Sequence, residues 1–250
     1  VGWDGACLEG AREALGATPG SGGGRLVGMP IWNVPTTAVQ RLLGCSLPAP
    51  MLPERSASEW GVSPTPEEYV VLATLLRASN PKNVFEFGTA IGGSTRVLAL
   101  NAPQATVYTL DLEEPRTDQK VASEAHLSVL GSNSRGALAQ GLPNVVFLRG
   151  DSRKYDFSGV PPCDFIFIDG GHDDETLHAD TESAFRLLNP ANPSAVIAWH
   201  DCSNWALLNV NAYTKALSVN RRIFGALNTM LRFYVPRLEG VESDLLSRED

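Results

Sequence analysis

What this sequence lacks narrows its reading first. None of its four cysteines, Cys7, Cys45, Cys163 and Cys202, forms a Cys-x-x-Cys pair. A disulfide-stapled secreted scaffold and a cysteine-held zinc module are both poor fits, and reduced thiols in a cytoplasmic setting are expected. No stretch nears the roughly 18 apolar residues of a spanning helix and no leader pattern opens the chain, so no membrane partner is expected. The first residue is Val1 rather than Met, from which a trimmed or processed N-terminus is expected. Basic residues are the minority: 20 Lys and Arg face 28 Asp and Glu, for a net charge of −8 and a pI near 5.1. Nucleic-acid binders carry a basic excess, so no nucleic-acid partner is expected either. What remains is globular composition, 43% hydrophobic and 19% charged. Its 250 residues suffice for one large α/β domain, or an ordinary domain plus an extension, with a core that needs no metal or disulfide to fold.

The chain changes character near residue 60. Residues 1–60 hold a glycine tract at 20–24, the Met29-Pro30 and Val34-Pro35 pairs and a proline-rich run from Pro48 to Pro53. These are loop signals, with a short helix predicted over Thr36 to Leu43. We expect this N-terminal extension to act as a lid or as a contact between subunits of a homo-oligomer. Then Thr65-Pro66-Glu67-Glu68 reads as a helix start, with Thr as N-cap, Pro in the first turn and Glu three residues after the cap. Tyr69, Leu72, Ala73 and Leu76 follow at helical spacing.

Five short apolar runs come next, at 83–87, 106–110, 145–148, 164–168 and 195–199. Helical stretches are predicted between and after them, at 94–101, 118–139, 173–188 and 204–218. Strands that are apolar throughout, rather than alternating, fit a parallel sheet covered on both faces. Residues 222–227 and 230–235 read as a closing hairpin at the sheet edge. The fold class is therefore α/β, a doubly wound Rossmann-like domain over 61–240, with residues 241–250 as a tail.

Ligands of such sheets bind outside the carboxyl ends of the strands, so the strand-to-helix corners carry the functional reading. The first corner is Glu86-Phe87-Gly88-Thr89-Ala90-Ile91-Gly92-Gly93-Ser94. Ala90 stands where a dinucleotide fingerprint needs its middle glycine, and no lysine completes a phosphate-cradling loop. An acidic residue at Glu86 would repel a phosphate but suits a cationic ligand group. At the second corner Asp111, followed by Leu112, ends a strand about 20 residues on, the place of a carboxylate that holds ribose hydroxyls. The third corner, Gly150-Asp151-Ser152, suits an adenine edge; a capping turn is its plainer reading.

In that order, and with Phe167-Ile168-Asp169-Gly170-Gly171-His172 after it, the motifs resemble the class I S-adenosylmethionine-dependent methyltransferases. More narrowly, they are similar to the small-molecule O-methyltransferases of the catechol O-methyltransferase type and to sugar methyltransferases of antibiotic pathways. The resemblance spans residues 64 to 236. It implies a seven-stranded sheet of order 3-2-1-4-5-7-6. It also implies S-adenosyl-L-methionine as cofactor, with Glu86, Gly88, Ala90 and Gly92 around the methionine part and Ser94 near its carboxylate. Asp111 and Leu112 would lie at the ribose, and Asp151 and Ser152 at the adenine.

The chemistry is expected between strands four and five, where Asp169 and His172 face His200 and Asp201. In catechol-type relatives, residues matching Asp169 and Asp201 hold a divalent metal, which implies a site made of Asp169, His200 and Asp201. A histidine at 200 departs from the oxygen ligand usual there and leaves the ion open between magnesium, manganese and another first-row metal. His172 stands where those relatives carry a proton-accepting lysine and is the candidate base, with Asp169 beside it in the catalytic and cofactor sets. His178 and Asp180 are read as structural, Trp199 and Trp205 chiefly as core packing with walls of the acceptor pocket as the alternative, and His126 as part of a segment that shapes that pocket. The expected function is transfer of a methyl group to a hydroxyl or carboxylate of a small-molecule acceptor, with a divalent metal. Three rivals stand beside it: a metal-independent enzyme with His172 as sole base, a nicotinamide-dependent oxidoreductase, and a non-catalytic module that binds the cofactor.

Overall fold

The computed structural model of the chain describes residues 31–54, 64–113, 135–204 and 207–239. Its strands are β1 (Trp32–Val34), β2 (Asn83–Phe87), β3 (Thr106–Asp111), β4 (Val145–Arg149), β5 (Phe165–Ile168), β6 (Val196–Trp199), β7 (Phe224–Ala226) and β8 (Arg232–Tyr234). The helices are α1 (Val39–Leu42), α2 (Pro66–Ala78), α3 (Gly93–Asn101), α4 (Asp174–Leu187) and α5 (Leu208–Leu217). The helix predicted over 118–139 falls mostly on 114–134, outside the described residues, as do His126 and Trp205.

One mixed sheet runs β1-β7-β8-β6-β5-β2-β3-β4. The predicted seven-strand order needs correction on one point: among the described residues the sheet has eight strands. The added one, β1, comes from the segment read as an extension and pairs in parallel with β7, Trp32 against Phe224. The β7–β8 hairpin is antiparallel as expected, but it is not the edge, because β1 lies outside it.

The central strands β2, β5 and β6 alternate between two buried faces, which is why their runs are apolar throughout. Val84, Phe165, Phe167, Val196 and Ala198 belong to the cluster under α2 and α3. Phe85, Phe87, Ile166, Ile168, Ile197 and Trp199 belong to the one under α4 and α5. The helix start at Thr65 is a full capping box: the Thr65 hydroxyl accepts from the Glu68 amide and Glu68 accepts from the Thr65 amide at 2.7 Å. Buried residues on α2 extend beyond the predicted stripe to Val71 and Leu75. The reason is tertiary. Val34, Val39 and Leu43 are all buried in the cluster that α2 joins, so the 31–54 segment covers a face that the periodicity alone would leave wet.

Candidate functional site

The parallel register places the site. Phe87 pairs with Leu110 and with Ile168, and Ile168 pairs with Trp199. One residue further along these four strands lie Gly88, Asp111, Asp169 and His200, side by side at the carboxyl edge. The ladder continues into the corners, with the Gly88 amide donating to Leu110 O, Asp169 to Phe87 O and His200 to Ile168 O, at 2.9 to 3.0 Å. Strand order reverses at β2, between β3 and β5, the switch point where ligands of open α/β sheets bind.

The glycine corner is tight for a stated reason. Gly88 has φ +93°, and a Cβ there would lie 2.2 Å from the Asp169 carbonyl oxygen. Only a residue without a side chain lets the β2 and β5 corners approach this closely. Ala90 also takes a positive φ, 44°, and Gly92 follows at φ +87° as N-cap of α3. Ser94 lies buried in the first turn of that helix.

Glu86 is fully buried beneath this corner. Its Oε2 accepts from the Thr95 and Thr109 hydroxyls at 2.5 and 2.6 Å and the Ser94 hydroxyl also faces the carboxyl, while Oε1 has no partner in hydrogen-bond alignment among the described residues. Burial, outweighing its hydroxyl partners, pushes the carboxyl up to about 7. A buried acceptor without a donor is costly unless something cationic meets it, which fits the ammonium-bearing end of S-adenosylmethionine.

Asp111 is drawn into the corner by its own chain. Oδ2 accepts from the Ala90 amide at 2.9 Å, Oδ1 from the Leu112 amide at 2.8 Å, and Arg135 Nε stands 4.0 Å away. Burial raises its pKa, and Arg135 works against that rise. Each oxygen keeps a lone pair for a further donor, so a pair of ribose hydroxyls fits. Asp151 follows β4 at the same edge and is already engaged by its own chain. Arg153 clamps both its oxygens, at 2.8 and 2.5 Å, and also reaches Glu175 at 2.9 Å. Ser152 faces Asp180, a buried carboxyl on α4 pushed up to about 7 by burial. Asp180 also closes over Gly170, where a Cβ would lie 2.9 Å from its Oδ2.

The other half of the site is a chain of acids and imidazoles. His200 Nδ1 lies 3.2 Å from Asp169 Oδ1 and 3.5 Å from Asp201 Oδ2, and its Nε2 lies 3.3 Å from Glu68 Oε2. His172 Nε2 lies 2.8 Å from Asp201 Oδ2, and Asn204 donates to Asp201 Oδ1 at 2.9 Å. Asn209 on α5 donates to the His172 carbonyl. Asp201 itself sits at φ 57°, a left-handed position that turns its carboxylate back to the crevice.

The charges set the titration. Burial alone would push both imidazoles down, but the facing carboxylates win: Asp201 raises His172, and Asp169 with Asp201 and Glu68 raises His200 well above its ordinary value. Against its own burial, Asp201 is held well below the carboxylate range by the two imidazoles. Glu68, buried too, is held near about 2 by His200 and by the Met230 and Thr65 amides.

Asp169, His200 and Asp201 each offer one donor atom, all within 4.8 Å of one another. Two oxygens and one imidazole nitrogen at that spacing fit a single divalent ion. The structure thus brings together Glu86, Gly88, Ala90, Gly92, Asp111 and Leu112 on one side, and Asp169, His172, His200 and Asp201 on the other. Trp199 is buried core, its Nε1 donating to Thr181, and His178 packs against Tyr213 with ring centroids 4.3 Å apart. Thr95, Thr109, Arg135, Asn204 and Asn209 join the site as polar residues with no sequence motif of their own. Glu68 was legible only as a helix cap.

Residues 85–202 match the model of a methyltransferase domain family. Among solved structures, the chain is similar to the cofactor-bound Rv0187 from MTB, at 20% identity and a TM-score of 0.51 over 81% of this chain and 88% of that one. It is also similar to the O-methyltransferase from Bacillus cereus in complex with SAH, at 22% identity and a TM-score of 0.48 over 80% and 90%. A third, the O-methyltransferase TomG from Streptomyces achromogenes in complex with SAM, stands at 16% identity and a TM-score of 0.46 over 80% and 87%. Likeness to Rv0187 at that identity is one of fold; the family match adds the corners themselves, running from the strand that carries Glu86 to the acid at Asp201. Those residues meet at the switch point, so the stretch 85–202 is that of a methyltransferase domain, as expected of an S-adenosylmethionine-dependent enzyme.

Proposed function

We propose that this methyltransferase transfers its methyl group to a hydroxyl oxygen of a small-molecule acceptor, and that His172 takes the proton which that oxygen loses. The observation that carries the reading is the 2.8 Å contact between His172 Nε2 and Asp201 Oδ2. A carboxylate only accepts, so Nε2 holds the proton and Nδ1 is the basic atom in the neutral ring. His172 is partly exposed, with 29% of its side chain open to solvent. A base at the mouth of the crevice, steadied by a buried acid, is the arrangement that proton removal from an acceptor requires.

S-adenosylmethionine, when bound, supplies an electrophilic methyl on a sulfonium. Glu86, Gly88, Ala90, Gly92, Ser94, Asp111 and Leu112 are the residues that would hold it. Glu86 would meet its ammonium group and Asp111 its ribose. Ser152 stays a candidate for the adenine, and Asp151 a weaker one because Arg153 occupies it. Asp169 joins the two halves: its backbone abuts Gly88 and its carboxylate faces His200. Displacement at the methyl is direct, so the protein contributes positioning, exclusion of water and removal of one proton.

Asp169, His200 and Asp201 would hold a divalent ion, which acts as a Lewis acid beside the acceptor. An imidazole among the donors favours manganese or another first-row ion over magnesium. One observation favours a metal-free variant: His200 already lies within 3.2 to 3.5 Å of Glu68, Asp169 and Asp201, so its imidazolium can neutralise the acids unaided. Exhaustive chelation decides between the two. In the metal reading methyl transfer to a catechol or sugar acceptor stops, and manganese restores it at least as well as magnesium. Full activity after chelation leaves the metal-free variant, and retention of full activity by His172→Ala would sink the base assignment.

A further inference from the structure

We infer that Glu68 is a positioning residue for His200: the helix cap of α2 is also the part that fixes the imidazole at the centre of the site. The inference rests on the reading of Asp169, His200 and Asp201 as the reactive side of the crevice. Glu68 is 1% exposed, and its carboxylate has three partners that converge from separate parts of the chain. Oε2 accepts from the Thr65 amide at 2.7 Å, and Oε1 accepts from the Met230 amide, also at 2.7 Å, in the β7–β8 turn. Met230 in turn accepts, through its carbonyl, from the Cys202 amide at 2.9 Å, just after Asp201. The third partner is His200 Nε2, 3.3 Å from Oε2.

A plain capping box needs only one of these contacts, and Gln serves it as well as Glu. Here both oxygens face backbone N–H groups, so an amide in this place would turn its NH2 against one of them. A carboxylate is required, and a carboxylate facing Nε2 selects the proton-bearing form of that nitrogen. His200 Nε2 is itself buried and has no acceptor in hydrogen-bond alignment among the described residues. Glu68 is the acid it faces. With Nε2 turned to Glu68 at 3.3 Å, Nδ1 is the nitrogen turned to Asp169 and Asp201, where an ion or the acceptor would lie. Metal-binding histidines are commonly oriented in this way by an acid behind the ring, and loss of that acid typically costs about 10- to 100-fold in metal affinity.

The test compares the wild-type protein with Glu68→Gln and Thr65→Ala, using manganese(II) alone as probe, in the presence of S-adenosylhomocysteine and followed by electron paramagnetic resonance. Glu68→Gln should weaken manganese binding by about 10- to 100-fold. Thr65→Ala removes the hydroxyl half of the cap but leaves Glu68, so its affinity should stay within about twofold even though its melting temperature falls. Equal weakening in both variants, or none in Glu68→Gln, would overturn the inference. A second readout separates this from the metal reading. The Nε2–H proton signal of His200 should lie far downfield and exchange slowly in the wild type and in Thr65→Ala, and should move upfield or vanish in Glu68→Gln. Absence of manganese uptake by the wild type defeats the metal reading alone. The imidazole signal then decides for or against Glu68, and an unchanged signal in Glu68→Gln counts against it.

Discussion

If His172 is the base proposed, Nε2 meets Asp201 and Nδ1 takes the acceptor's proton. His172→Ala should therefore lower kcat by about 10²- to 10⁴-fold while leaving S-adenosylhomocysteine affinity within about twofold. Part of the lost rate should return at higher pH, where the acceptor ionises unaided. A pH–rate profile of the variant beside a calorimetric titration checks both halves. Glu86 makes a different prediction, about stability. Its carboxyl is raised by burial from near 4.5 to about 7, so between those values the folded protein holds a proton that the unfolded chain has released. Stability of the cofactor-free protein should fall as pH climbs through that window and level off above it. Glu86→Gln keeps the shape of the protonated side chain and should flatten that part of the profile. Urea denaturation of both proteins at several pH values reads the difference, and identical slopes would count against the shift.

At the scale of elements, α2 carries two loads. Its first turn delivers Glu68 to His200, and its flank joins the cluster that holds Val34, Val39 and Leu43. Leu43 is 2% exposed although it lies in a segment rich in proline and short of regular structure. Leu43→Ala should cost about 2–4 kcal/mol in chemical denaturation, the range for a buried leucine whose cavity cannot collapse fully. A cost under about 0.5 kcal/mol would show that the 31–54 segment is laid on the domain loosely. The strands needed no such help to be read. Their apolar runs matched the sheet nearly to the residue, because strands buried on both faces leave an unbroken signature. Short β1, three residues ahead of a poly-turn sequence, left none.

For the whole molecule, the sheet closes on the β7 side only with β1 in place. Beginning the chain at Gly61 should therefore bare the β7 edge and the cluster side that Val34, Val39 and Leu43 cover, and cooperative unfolding should be lost. Circular dichroism melts of the shortened and full chains test this. A sharp transition in the shortened chain would instead support an extension that serves only as lid or subunit contact.

Composition and periodicity by themselves determined the class of fold, the strands from β2 onward with the helices α2 to α5, and the order of motifs at the carboxyl edge, because local apolar spacing and turn chemistry are written in neighbouring residues. They also singled out Glu86, Asp111, Asp169, His172 and Asp201, since an acid or histidine just past an apolar strand has one natural place in such a sheet. Tertiary structure alone decided which of these meet. Gly88, Asp169 and His200 line up through strand register, a property of pairing that no single segment contains. It paired Asp151 with Arg153 and added an eighth strand from a segment with no strand signal. It also gave Glu68 a second task, because the distance from a helix cap to an imidazole 132 residues later is fixed by how α2 and β6 pack.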